Sequence, residues 1–178
     1  MLIILRMDIR DRYKFEENGS EIILMPNYSF LRALLWWLVL GMIALPVILY
    51  YFMDKMSGDQ FKIAMGLWSV YMIYFLFDLL FRVPVKYIFD KSEQCIYRKV
   101  LFSRKLMNFD EMTYFVNDER GGYYYSIGKK RSQFVKDYRI SNYFSGSKAS
   151  ERREDEYIKE ILCPILIAVG IPLNQEEQ

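Results

Sequence analysis

The chain has 178 residues, 53% of them hydrophobic and 17% aromatic, and its 24 basic and 22 acidic residues leave a formal net charge of only +2. That length allows one ordinary domain or a small domain with membrane segments, and the near-neutral balance argues against a protein built to neutralise many nucleic-acid phosphates. Histidine is absent, which removes the commonest general base, the Ser–His and Cys–His nucleophile pairs and most zinc sites.

Within residues 1–29, apolar side chains alternate with charged ones at Met7 and Ile9 and again at Tyr13 and Phe15. Asn18-Gly19 is a two-residue hairpin signal, and residues 21–25 form a second strand candidate. The expectation is a β-hairpin leading into the first long helix. A lone hairpin is marginal in water, so it should join strands formed later in the chain. No secretory signal precedes the first apolar run, so the chain is expected to stay uncleaved.

Residues 33–53 carry no charge and are long enough for the hydrocarbon core of a bilayer. Trp36 and Trp37 lie near one end, and Tyr50 and Tyr51 near the other, where amphipathic rings favour the headgroup level. Pro46 should kink this helix. A second apolar run, residues 63–81, lies between Lys62 and Arg82. The link DKMSGDQFK, residues 54–62, offers Ser57 and Gly58 as turn residues and is short enough to make the two helices antiparallel neighbours. Together they form a transmembrane hairpin over residues 30–82.

Asp78 is the one acid in the second run and lies at i,i+4 from Arg82. The spacing allows an ion pair near the interface, which makes the two residues an anchor. The alternative is a proton or ion role, the default for an acid inside a membrane helix. Basic residues flank the hairpin at Arg10, Arg12, Lys14 and Arg32 on one side and Arg82, Lys86, Lys91, Arg98 and Lys99 on the other, against Lys55 and Lys62 in the link. The positive-inside rule then predicts a multi-pass inner-membrane protein with both termini in the cytoplasm. The two cysteines, Cys95 and Cys163, have no metal-binding or disulfide spacing, which agrees with a reducing compartment.

After residue 82, short strands are expected at residues 85–89, 95–101, 104–109, 112–116 and 123–127, with one or two more in 134–143. Turns separate them, and Gly121-Gly122 is one. Such spacing suggests a sandwich or partly open barrel. Ser147 or Ser150 can cap a final helix over about residues 148–170, with acids at Glu151, Glu154, Asp155 and Glu156 in its first turns. Its apolar stripe runs through Tyr157, Ile158, Ile161, Leu162, Ile165 and Leu166, and Pro164 should kink the helix or start a new turn. The stripe either plugs the open end of the β domain or lies against the membrane.

The strand–turn–strand VKYIFDKSEQCIYRK and the segment FDEMTYFVNDERGGYYYSI, with the order hairpin, two apolar helices, strands and helix, resemble bacterial two-pass membrane proteins with a pleckstrin-homology-like (PH-like) cytoplasmic domain. That resemblance implies a membrane α-helical hairpin plus an α+β domain, a small PH-like β-barrel or sandwich closed by the C-terminal helix. It implies a binding scaffold and no particular chemistry.

Lys129, Lys130 and Arg131, with Lys136 nearby, form the densest basic cluster. The cluster is either a solvated turn or a loop for anionic lipid or a partner. Tyr123-Tyr124-Tyr125 beside it matches aromatic-plus-basic nucleic-acid surfaces, but alternation along a strand turns Tyr124 away from its neighbours. Asp110-Glu111 and Asp118-Glu119 are adjacent in sequence, so in a strand each pair points to opposite faces and cannot act as an acid–base couple. The sequence therefore predicts no enzyme, no cofactor, no metal and no nucleic acid. It predicts a bilayer and a protein partner, and leaves homo-oligomers open. The function expected is a protein-binding module tethered to the membrane. Alternatives are an immunity protein against a membrane-acting secreted toxin, and an accessory subunit of a transport or signalling complex.

Overall fold

A computed structural model describes residues 8–119, 121–130 and 136–171. The chain divides into two compact units, one of residues 1–28 and 85–178, the other of residues 29–84.

The second unit holds two helices long and apolar enough to cross a membrane. Helix α2 (Phe30–Phe52) runs through Pro46 without interruption. A 3₁₀ turn at Met53–Lys55 follows, and α3 (Gly58–Phe77) passes into a π-helical turn at Asp78–Arg82. The link is shorter than residues 54–62. Ser57 and Gly58 are the N-cap and first turn of α3 rather than a loop. The Ser57 hydroxyl accepts from the Gln60 amide at 3.3 Å, and the Gln60 side chain accepts from the Ser57 amide at 3.0 Å. This reciprocal capping box satisfies two otherwise orphaned donors, so the helix starts early. Large apolar side chains of both helices stand outward, among them Trp36 (77% exposed) and Leu67 (68%).

Where the helices meet, Gly41 provides the close approach. A Cβ there would stand 2.1 Å from Cε1 of Tyr71. The Tyr71 hydroxyl donates to the Trp37 carbonyl at 2.5 Å, and the Trp68 indole N–H donates to the Gly41 carbonyl at 3.0 Å. Small residues at helix interfaces permit such approach, and polar side chains then tie the backbones together.

The first unit is α+β with antiparallel sheets. It begins with a helix, α1 (Ile9–Tyr13), where a strand was expected. Ile9 and Tyr13 are four residues apart and both buried, so helical spacing puts two apolar side chains on one core face. Met7 lies outside the described residues. The hairpin proper is β1 (Glu16–Glu17) and β2 (Glu21–Leu24). Asn18 and Glu21 exchange backbone hydrogen bonds at 2.8 and 3.2 Å, which places Gly19 and Ser20 at the tip instead of Asn18 and Gly19.

Strand β2 pairs with β3 (Lys86–Asp90), β3 with β4 (Cys95–Lys99) and β4 with β5 (Ser103–Asn108), completing a five-stranded sheet. A 3₁₀ turn at Phe109–Glu111 leads to a second sheet of β6 (Met112–Glu119), β7 (Gly122–Lys129) and β8 (Tyr138–Arg139). Among the described residues the sheets are not closed into a barrel: β1 and β5 are the edges of one, and β6 and β8 those of the other. Phe134, inside the expected last strands, lies outside the described residues.

Helix α4 (Lys148–Tyr157), a π turn at Ile158–Leu162 and α5 (Cys163–Val169) form the C-terminal helix. Ser147 occupies the N-cap position without a side-chain cap, while the Ser150 hydroxyl accepts from the Ser145 amide at 2.8 Å. Pro164 follows the π turn, at a position that has no backbone N–H to donate to the preceding turn. Tyr157, Ile161, Leu162, Ile165 and Leu166 share one core with Ile22, Phe89, Ile96, Met112 and Ile127 from both sheets. The apolar stripe is thus buried against strands.

Candidate functional site

Strand β7 carries three consecutive tyrosines, and alternation sends them to two faces. On the inner face, the Tyr123 and Tyr125 hydroxyls converge on Glu154 of α4. Tyr125 donates to Oε1 at 2.7 Å, and Tyr123 donates to Oε2. The pair clamps α4 to the sheet with one carboxylate. The hydrogen bond to Glu154, followed by burial, pushes the Tyr123 phenol up to about 12. Burial, then the same carboxylate, raises Tyr125 further. Beneath them, Tyr157 is fully buried, stacks on Tyr125 at 5.9 Å and packs against Tyr13 at 4.9 Å. Its hydroxyl donates to the Ile140 carbonyl at 3.0 Å, and the Tyr13 hydroxyl accepts from the Asn142 amide at 2.9 Å.

On the outer face, the Arg139 guanidinium of β8 lies 4.0 Å from the Tyr143 ring and 5.2 Å from the Tyr124 ring. The two rings meet edge to face at 5.3 Å. Arg139 also donates to the Ser141 carbonyl at 2.7 Å, which fixes its head, and the Tyr143 hydroxyl donates to Glu119. Beside this cluster is a cleft of about 400 Å³ lined by Glu119, Gly121, Gly122, Tyr143, Phe144 and Arg153 among others. Gly121 has φ 80°, which favours glycine at the β6–β7 turn. Gly122 is a strand residue, and a Cβ there would come within 2.8 Å of the Phe144 carbonyl oxygen. That approach is held by Tyr123 and Phe144, which exchange backbone hydrogen bonds at 2.9 and 2.8 Å.

No family model, curated protein or solved structure matches this chain.

Of the expected basic cluster, Lys129 pairs with Glu111 at 2.9 Å. That contact, followed by the Asn108 amide, holds the Glu111 carboxyl below the usual carboxylate range. The Lys130 amide donates to the Glu111 carbonyl at 2.9 Å. Lys130 and Lys136 are exposed, and Arg131 lies outside the described residues. The structure therefore spends one cation of the cluster on the turn itself. Asp78 and Arg82 do meet, Nη1 to Oδ2 at 3.4 Å, with Asp78 buried and Arg82 half exposed over the Phe30 ring.

The Arg139 cluster was not visible as a site in the sequence. Tyr124 lies far in sequence from Arg139 and Tyr143, and the pairing of β7 with β8 and the Tyr123–Phe144 bridge bring them together. The usable signal was the tyrosine run, whose middle member had to face away from its neighbours.

Proposed function

We propose that the chain is a non-enzymatic two-pass inner-membrane protein whose PH-like domain faces the cytoplasm and binds a protein partner. The membrane part is supported by the outward apolar side chains of α2 and α3. The excess of basic residues on both flanks over the link supports the orientation. A PH-like arrangement is favoured by antiparallel strands followed by a helix whose apolar stripe shares their core.

The observation that carries partner binding is Arg139 held between Tyr124 and Tyr143 beside an open cleft. Tyrosine and arginine are enriched where interfaces concentrate binding energy, because they offer large, rigid contact area with a polar end. Here both rings and the guanidinium are already positioned, so little side-chain freedom remains to be lost on binding.

The test is purification of the full-length tagged protein in mild detergent, as the native chain and as Arg139→Ala. A stoichiometric partner with the native chain and about tenfold less with the variant is expected, as for loss of a binding hot spot. No partner, or equal recovery, would remove the reading. A secreted toxin as partner would make the protein an immunity protein, and a transport or signalling component would make it an accessory subunit.

A further inference from the structure

The hairpin joining β4 to β5 ends in Leu101 and Phe102, which are 59% and 87% exposed. No large apolar side chain among the described residues is more exposed than Phe102. Val100 beside them turns inward and packs on the core, so the tip is anchored from below. Between Cys95 and Met107 the chain carries Arg98, Lys99, Arg104 and Lys105 and no acid. Lys99, Arg104 and Lys105 are exposed and make no ion pair among the described residues.

The strand register sharpens the charge pattern. Lys86 stands directly opposite Lys99, and Arg98 directly opposite Arg104. Directly opposed like charges destabilise a sheet. Two such pairs are adjacent, and alternation puts them on opposite faces, so this end of the sheet is basic on both sides. The Arg98 Nε is also buried without a hydrogen-bond partner among the described residues.

The same sheet end carries both covalent links to the apolar helices. Strand β2 leaves it at Leu24, paired with Tyr87, and the chain reaches α2 through residues 25–29. Strand β3 enters at Lys86, and only residues 83–85 separate it from Arg82. At full extension that second link spans no more than about 14 Å.

We infer that the β4–β5 tip is a shallow membrane contact in addition to the two helices. Leu101 and Phe102 enter the boundary between headgroups and acyl chains of the bilayer that α2 and α3 cross. Lys86, Lys99, Arg104 and Lys105 bind its anionic headgroups, which relieves the opposed like charges. Exposed apolar side chains ringed by basic ones are the chemistry of interfacial binding to anionic lipid. This inference rests on the membrane-spanning reading but not on the protein partner.

The experiment compares backbone hydrogen exchange of the full-length protein in nanodiscs of phosphatidylcholine alone and of phosphatidylcholine with phosphatidylglycerol. The amides of residues 100–105 should exchange about tenfold more slowly with the anionic lipid, as expected for several basic groups engaging the surface. Leu101→Ser with Phe102→Ser changes only exposed side chains and should abolish the difference. Equal exchange in the two lipids, fast or slow, would overturn the inference. So would a lipid-dependent difference that survives the double substitution. Slow exchange in α2 and α3 in both nanodiscs would leave the membrane reading standing in those cases, whereas fast exchange there would remove both.

Discussion

Gly41 and Tyr71 occupy each other's space: the Tyr71 ring lies where a side chain on Gly41 would be, with Cε1 2.1 Å from the position of a Cβ. The same tyrosine donates to the Trp37 carbonyl one turn earlier on α2, so packing and hydrogen bonding hold the helix pair at one point. Gly41→Ala should force the ring aside and cost about 1–3 kcal/mol, the usual range for overpacking. Tyr71→Phe should cost less, about 0.6 kcal/mol, because only the hydroxyl is lost. Unfolding in mixed micelles by increasing sodium dodecyl sulfate measures both, with the glycine variant the weaker.

Glu154 joins α4 to β7 through two phenols, so its removal should release both. Glu154→Ala should destabilise the protein by about 1.5–3 kcal/mol, as for hydrogen bonds to a charged group. Chemical denaturation followed by tyrosine fluorescence checks this. Glu154→Gln keeps an acceptor but not the charge, so it should cost less.

The raised phenols also set an alkaline limit. Tyr123 is pushed up to about 12 by its bond to Glu154, and Tyr87 to about 12 by burial, from an ordinary value of 10.0. A folded-state value above the unfolded one favours folding only while the phenol is protonated. The contribution is therefore complete below pH 10 and lost as pH rises through 12. Thermal midpoints should be insensitive to these groups at neutral pH and fall steeply over that alkaline window. In Glu154→Gln, tyrosinate absorbance should appear at lower pH than in the native chain.

Asp78 is buried and Arg82 supplies a cation to it at 3.4 Å. Arg82→Met should destabilise the protein, because the buried Asp78 loses a cationic neighbour. Asp78→Asn in the same chain should restore most of that stability. A transport role for Asp78 predicts instead that Asp78→Asn alone abolishes function, whereas an anchor predicts retained function.

Features set by local pattern were legible in the sequence. The two apolar helices followed from length and the near absence of charge, and β3, β4, β6 and β7 from short runs between turn signals. The first helix was not, because Ile9 and Tyr13 satisfy both a strand and a helical spacing, and packing decided between them. The start of α3 was written locally as Ser57 and Gln60, a capping pair hidden by the turn-like Ser57-Gly58. Glu154 looked like one of several acids favouring a helix N-terminus, and its two tyrosine partners are long-range. Residues 95–101 suggested a strand, but β4 ends at Lys99 and leaves Leu101 at the tip. The opposed cations flanking that tip become visible only with the register.

On the proposed reading, α2 and α3 cross a bilayer with the link outside the cell and the β region in the cytoplasm. The direct measurement is labelling of Lys55→Cys and Lys148→Cys variants, both at exposed positions, with a membrane-impermeant maleimide in intact cells and after permeabilisation. Lys55→Cys should label in intact cells, and Lys148→Cys only after permeabilisation. Equal labelling of the two positions in intact cells, or labelling of Lys148→Cys alone, would contradict the account.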